Sequence, residues 1–109
     1  MTANQVFDEV GLTLPNTIEQ KLLLIWLNRL EQYAAVEIEG LDCHSISAIS
    51  SNDTDNPLRI PDPYSSVYPL YLQCMIHLAM GEYDRYTAMY KFFNTAYSDY
   101  AKWYQRNKS

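Results

Sequence analysis

The stretch Tyr83-Asp84-Arg85-Tyr86-Thr87-Ala88-Met89-Tyr90-Lys91-Phe92-Phe93-Asn94-Thr95-Ala96-Tyr97-Ser98-Asp99-Tyr100-Ala101-Lys102-Trp103-Tyr104 decides the fold. Tyr83, Tyr86, Tyr90, Phe93, Tyr97, Tyr100 and Tyr104 are spaced 3, 4, 3, 4, 3 and 4 residues apart. That is a seven-residue helical repeat with an aromatic ring at every inward position. Met89, Phe92, Ala96 and Trp103 widen the face, while Asp84, Arg85, Lys91, Asn94, Ser98, Asp99 and Lys102 form the polar side. The pattern predicts a helix over 82–105.

Working towards the N-terminus, Gly81 is the break and Glu82 suits the positive end of the helix that follows. Before it, Leu70 to Met80 is apolar almost all round, interrupted only by Gln73 and His77. A helix of that kind is central. It is predicted over 66–80, with Ser65 or Ser66 as cap and Pro69 in the first turn, where a missing N–H costs nothing. The short turn makes the two helices an antiparallel hairpin. Another helix is predicted over 16–36, opened by Pro15 with Asn16 or Thr17 at capping-box spacing. Its apolar row is Ile18, Leu22, Leu23, Ile25, Trp26, Leu27, Leu30, Tyr33 and Ala34; Glu19, Lys21, Asn28, Arg29, Glu31 and Gln32 mark its wet side. At the start, Asn4 can cap a short turn that Gly11 stops. The expected architecture is all-α: one domain over 1–109, a small bundle of three main helices, a short N-terminal turn, and a long loop over about 39–63.

That loop is unusual in so small a chain, which makes it functional or ordered by a partner. Val36-Glu37-Ile38-Glu39 alternates and fits a short strand. Asn52 to Asn56 lacks the glycine and final glutamate of a calcium loop and reads as a solvated turn. Leu58-Arg59-Ile60-Pro61-Asp62-Pro63-Tyr64 reads as extended, since residues before proline avoid the α region.

Composition narrows the function. The chain has 109 residues, 48% hydrophobic and 14% aromatic, with only three glycines, which excludes disordered and collagen-like classes. Net charge is −5, a field that repels nucleic acid and acidic membranes. It is uneven: residues 1–63 carry three cations against ten carboxylates, net −7, and residues 64–109 carry five cations against three carboxylates, net +2. Such halves complement one another between copies, although scattered surface charge explains them too. Arg106 and Lys108 near the end are too few for a nucleic-acid patch. The opening Met1-Thr2-Ala3-Asn4-Gln5 has no basic-then-apolar run, and Val67 to Met80 is too short to span a bilayer, so a soluble intracellular protein is expected.

No reaction chemistry emerges. No nucleophile elbow surrounds a serine, and Gly11, Gly40 and Gly81 are too isolated for a phosphate cradle. Cys43-His44 and Cys74-x-x-His77 together offer two thiolates and two imidazoles. Zinc knuckles bring closely spaced cysteine pairs, however, and here each cysteine stands alone. A buried Cys74 and a hydrogen-bonded His77 are the simpler reading, and no metal, cofactor or enzymatic activity is expected. The tyrosine row is most simply a core face. Yet cores favour Leu, Ile and Val, because a buried hydroxyl needs a partner, whereas tyrosine suits faces half dry and half wet. This points to a mixed face, with one edge in the core and the other against a neighbouring subunit.

Several blocks resemble one family. Leu58-Arg59-Ile60-Pro61-Asp62-Pro63-Tyr64, then a tyrosine-rich helix, Gly81-Glu82-Tyr83-Asp84-Arg85-Tyr86, Phe93-Asn94-x-Ala96-Tyr97-x-x-Tyr100 and Trp26-Leu27-Asn28-x-Leu30 together cover about two thirds of the chain. They resemble the small head–tail connector (adaptor, head-completion) proteins of long-tailed phages and prophages. The resemblance implies a virion protein assembled in the bacterial host cytoplasm. It would form a homo-oligomeric ring of about twelve copies, a closed assembly with head-to-tail contacts. Such a ring sits between the portal protein and tail-side connector proteins and extends the DNA channel, with DNA only as passing cargo and no membrane contact. On this reading Leu58, Ile60, Pro61, Asp62, Pro63 and Tyr64, with Tyr83, Tyr86, Tyr90, Tyr97, Tyr100 and Tyr104, are the candidate subunit or partner contacts. The alternative is a small acidic helical module that binds another protein, such as a phage-encoded regulator of a host protein.

Overall fold

The tyrosine repeat forms one helix, α4 (Tyr83–Asn107). It packs as the second arm of a hairpin with α3 (Val67–Ala79). A computed structural model describes residues 1–107, so Lys108 lies outside them. Gly81 makes the turn at φ +75°, a left-handed conformation open to glycine and strained for other residues. The turn is fastened by side chains: His77 Nδ1–H donates to Glu82 Oε1 at 2.9 Å. Ser66 makes no side-chain cap. A single 3₁₀ turn, Tyr64–Ser66, leads into α3, and the Ser65 hydroxyl donates to the Asp62 carboxylate. The Asp62–Pro63 peptide is cis.

The described residues are all-helical, with four α-helices rather than three and a turn. The N-terminal element is a full helix, α1 (Ala3–Thr13). Thr2, not Asn4, is its cap: Gln5 N–H donates to Thr2 Oγ1 at 3.2 Å, and Thr2 N–H donates to Gln5 Oε1 at 2.9 Å. That reciprocal box satisfies two orphan donors. Gly11 sits within the helix in open space and does not stop it. The helix continues because an exposed glycine costs only about 1 kcal/mol relative to alanine.

The helix expected over 16–36 is α2 (Gln20–Tyr33) followed by a π-helical turn, Ala34–Ile38. It starts late because the Asn16 side chain is used locally, accepting from Ile18 N–H at 2.9 Å. The strand expected at Val36–Glu39 is absent. Its alternation was misleading: the π turn buries Ala34, Ala35 and Ile38 and carries Glu37 outward.

α3 is central, touching α1, α2 and α4. Val67, Tyr68, Leu72, Cys74 and Ile76 meet Val6 and Val10 of α1, and Trp26, Leu27 and Leu30 of α2, in one core. The 39–63 segment is anchored to the rest of the chain at several points. Asn28 grips Ile49 by both backbone groups, accepting from its N–H at 2.7 Å and donating to its C=O at 3.0 Å. Asn4 N–H donates to Thr54 C=O at 3.1 Å, and Leu58 N–H donates to Met1 C=O at 2.8 Å. Thr2 and Pro57 form an isolated bridge. No helix among the described residues is long and apolar enough to cross a membrane.

Candidate functional site

The twelve candidate contacts divide. Leu58 and Ile60 are buried in the core, so the strip they belong to does not reach outward as a whole. Pro61, Asp62 and Pro63 alone are exposed. Tyr64 turns inward, its ring 5.4 Å from Trp103 and 6.0 Å from Tyr100. Arg59 explains why the strip is fixed. Its N–H donates to Glu31 Oε2 at 3.0 Å, and its guanidinium meets Glu39 Oε2 at 3.1 Å. Tyr68 completes the network: its hydroxyl accepts from Ile60 N–H at 2.7 Å and donates to the Glu31 carboxylate.

This buried network was not visible among the wet-side residues expected of α2. Burial pushes the Glu31 carboxyl above its ordinary 4.5, and the hydrogen bonds from Tyr68 and Arg59 N–H, with the Arg59 charge, offset part of that rise. Burial first, and then the Glu31 charge, push the Tyr68 hydroxyl strongly up, so it stays a donor. A signal was available. Leu27, Glu31, Ala34 and Ile38 lie 4, 3 and 4 apart, which puts Glu31 on the core row.

The tyrosine row is mixed both between its edges and along the helix: Tyr86, Phe93 and Tyr100 run from half-buried to buried, whereas Tyr83, Tyr90, Tyr97 and Tyr104 run from exposed to half-buried. Phe93 and Tyr100 are buried, and Tyr97 and Tyr104 are half-buried. The Tyr97 hydroxyl donates to Glu37 Oε2 at 3.3 Å, and burial raises its pKa. Burial, with the Glu39 charge next, raises Tyr100 to about 12. At the other end Tyr86 is half-buried, while Tyr83 is 65% exposed and Tyr90 44%. Phe92, expected to widen the inward face, is 65% exposed.

The open end of the row borders a groove of about 430 Å³. Tyr33 and Glu37 stand on the α2 side, Tyr71 and Met75 form part of the lining from α3, and Tyr86, Tyr90 and Asn94 stand on the α4 side. The ring of Tyr71 lies 5.2 Å from Phe93, and Phe93 lies 5.9 Å from Tyr90, so the aromatic lining is continuous. Besides Tyr33, α2 exposes Leu22 and Ile25, and the π turn exposes Val36. The lining combines rings and one methionine with tyrosine hydroxyls, Glu37 and Asn94, a half-dry, half-wet surface that suits an apolar side chain flanked by polar groups.

The two cysteine–histidine pairs do not meet. Cys74 is buried in α3 and burial pushes its thiol up to about 11, whereas Cys43 is exposed in a 3₁₀ turn. Asp42, Cys43 and His44 do place three ligating atoms within 4.8 Å of one another, all on exposed side chains. The Asp42 carboxylate already accepts from His44 N–H at 3.1 Å. No protein-family model, curated protein or solved structure matches this chain.

Proposed function

We propose that this chain is a structural subunit of an oligomeric ring, a head–tail connector that joins a phage portal vertex to the tail and extends the DNA channel. The observation that carries the reading is the open part of the α4 aromatic row: Tyr83 and Tyr90, seven residues apart on one face, are exposed, and Tyr90 lines an aromatic groove. Exposed rings in one area mark a surface that another protein covers. The residue blocks that resemble those of connectors suggest the kind of assembly. Its work is positional and uses no catalytic group, metal or cofactor. The net charge of −5 suits a channel that DNA slides through without sticking. Its partners are further copies of itself, the portal protein on one side and tail-side connector proteins on the other, and its place is the head–tail junction of the virion.

Electron microscopy and light scattering on the purified protein, alone and with a portal ring, test this. A closed ring, or a layer docked on the portal, is the expected result. Absence of self-association in both settings, with a stable 1:1 complex with a host protein, overturns it. That outcome belongs to the second reading, an acidic helical binding module. The groove favours it, since three helices line a concave site large enough for a segment of another protein.

A further inference from the structure

We propose that the aromatic groove receives the Leu12 corner of a neighbouring copy, and that this knob-in-groove contact links successive subunits. The inference rests on the ring reading above and names the surfaces that make it.

Leu12 is the knob. At 84% exposed, it is the most exposed large apolar side chain among the described residues. It stands in the last turn of α1, beside Gly11, around which space is open. An apolar side chain presented on a rigid helix end is already ordered for insertion, which lowers the entropy cost of binding.

The position of the knob sets the geometry. Gln73 Nε2 donates to Thr13 Oγ1 at 2.8 Å, so the end of α1 lies against the Gln73 side of α3. Tyr71 and Met75 face the groove. Each is two residues from Gln73, a rotation of about 200° around a helix. Knob and groove therefore lie on opposite sides of α3. Two different patches on opposite sides make a heterologous contact that repeats from subunit to subunit, rather than a two-fold pair.

Charge selects this pairing. Asp8 and Glu9 precede Leu12 by four and three residues and share its face. Both are exposed, and neither forms an ion pair among the described residues. Near the groove, Arg29 lies beside Tyr33, and Lys91 lies one turn before Asn94 on α4. These two cations are likewise exposed and without an ion pair among the described residues. The one carboxylate in the groove, Glu37, accepts from the Tyr97 hydroxyl. An acidic knob thus faces a groove with free cations beside it. Such complementarity favours the right partner and orientation.

The test uses the full chain with Cys43→Ser, which removes the exposed thiol. Leu12→Cys and Asn94→Cys copies are mixed and treated with a short bis-maleimide. A crosslink between the two kinds of copy is expected, and none within either kind alone. In parallel, Leu12→Asp, with circular dichroism unchanged, should weaken assembly by about tenfold or more, as loss of a central apolar anchor does. Glu9→Lys and Lys91→Glu should each weaken it, and the double variant should recover it. An intact assembly without the crosslink, and indifferent to Leu12→Asp, overturns the knob-in-groove contact and leaves the ring reading standing. No assembly of the unsubstituted chain, alone or on a portal ring, overturns both.

Discussion

The two halves of α4 carry the same sequence pattern and meet different fates. From Phe93 to Tyr104 the aromatic row is better covered, with Phe93 and Tyr100 buried, Tyr97 and Tyr104 half-buried, and Trp103 stacked on Tyr100 with Tyr64 tilted against both. From Tyr83 to Tyr90 the same spacing leaves rings half-buried or exposed. The difference is not in the helix. The covered half is closed by pieces that are not long helices: the π turn at Ala34–Ile38, the 3₁₀ turn at Tyr64–Ser66 and the 57–64 strip. These in turn are held by Glu31, Tyr68 and Arg59. Among the described residues, these pieces come only as near as Glu37, across the groove from Tyr86 and Tyr90, and leave Tyr83 and Tyr90 exposed. A heptad thus states which face of a helix turns inward, and the rest of the chain decides how much of that face is sealed.

The contrast can be broken most sharply at Tyr100. Tyr100→Ala should cost about 3–5 kcal/mol, because it empties a fully buried site. A urea melt checks this, and a loss below about 1 kcal/mol would mean that the covered half is not core. Next in size is Tyr68→Phe. It leaves Ile60 N–H buried without an acceptor and takes a donor from Glu31, so about 1–3 kcal/mol should be lost.

Glu31 then gives the covered half a pH signature. Its folded pKa is raised above the ordinary 4.5, so the folded state binds the proton more tightly than the unfolded state does. Its contribution is therefore fully present below 4.5 and is lost as pH rises through the raised value. Glu31→Gln keeps one oxygen acceptor for Arg59 N–H, turns an amide donor towards the Tyr68 hydroxyl in place of the second oxygen, and removes the titration. Relative to the unsubstituted chain, this variant should gain stability as pH rises through that window. Thermal melts of both proteins at several pH values measure the difference, and parallel curves would show that Glu31 does not titrate there. The smallest effect belongs to the open half. Tyr83→Ala and Tyr90→Ala should change stability by no more than about 0.5 kcal/mol, as exposed positions do. A larger loss at Tyr90 would place it in the core and erase the contrast.

The hairpin, the central α3 and the helix over the tyrosine repeat were legible because their periods are long and uninterrupted. What escaped was short or coupled across the chain. The Thr2–Gln5 box was hidden because Asn4 offered an equally good local cap. The π turn was hidden because one added residue in a helical turn changes the period, and Val36–Glu39 then mimics a strand. Leu58 and Ile60 have the alternation of an edge segment, but the strip is held in by Arg59 N–H on Glu31, 28 positions away, and Ile60 N–H on Tyr68, 8 positions away. The lengthwise change in the tyrosine row had no local signal, since the extra coverage of its far end comes from residues 34–66.

The grip of Asn28 on Ile49 gives the crossing segment a timekeeper. Ile49 N–H donates at 2.7 Å to a part-buried amide, within a stretch that is mostly exposed. Its hydrogen should exchange with solvent far more slowly than those of Ser47 and Ser51, one slow amide inside a fast segment. Asn28→Ala should bring it level with its neighbours. Any partner that lifts the segment off α2 would do the same, so that single exchange rate reports whether the strap is fastened while the rest of the protein stays folded.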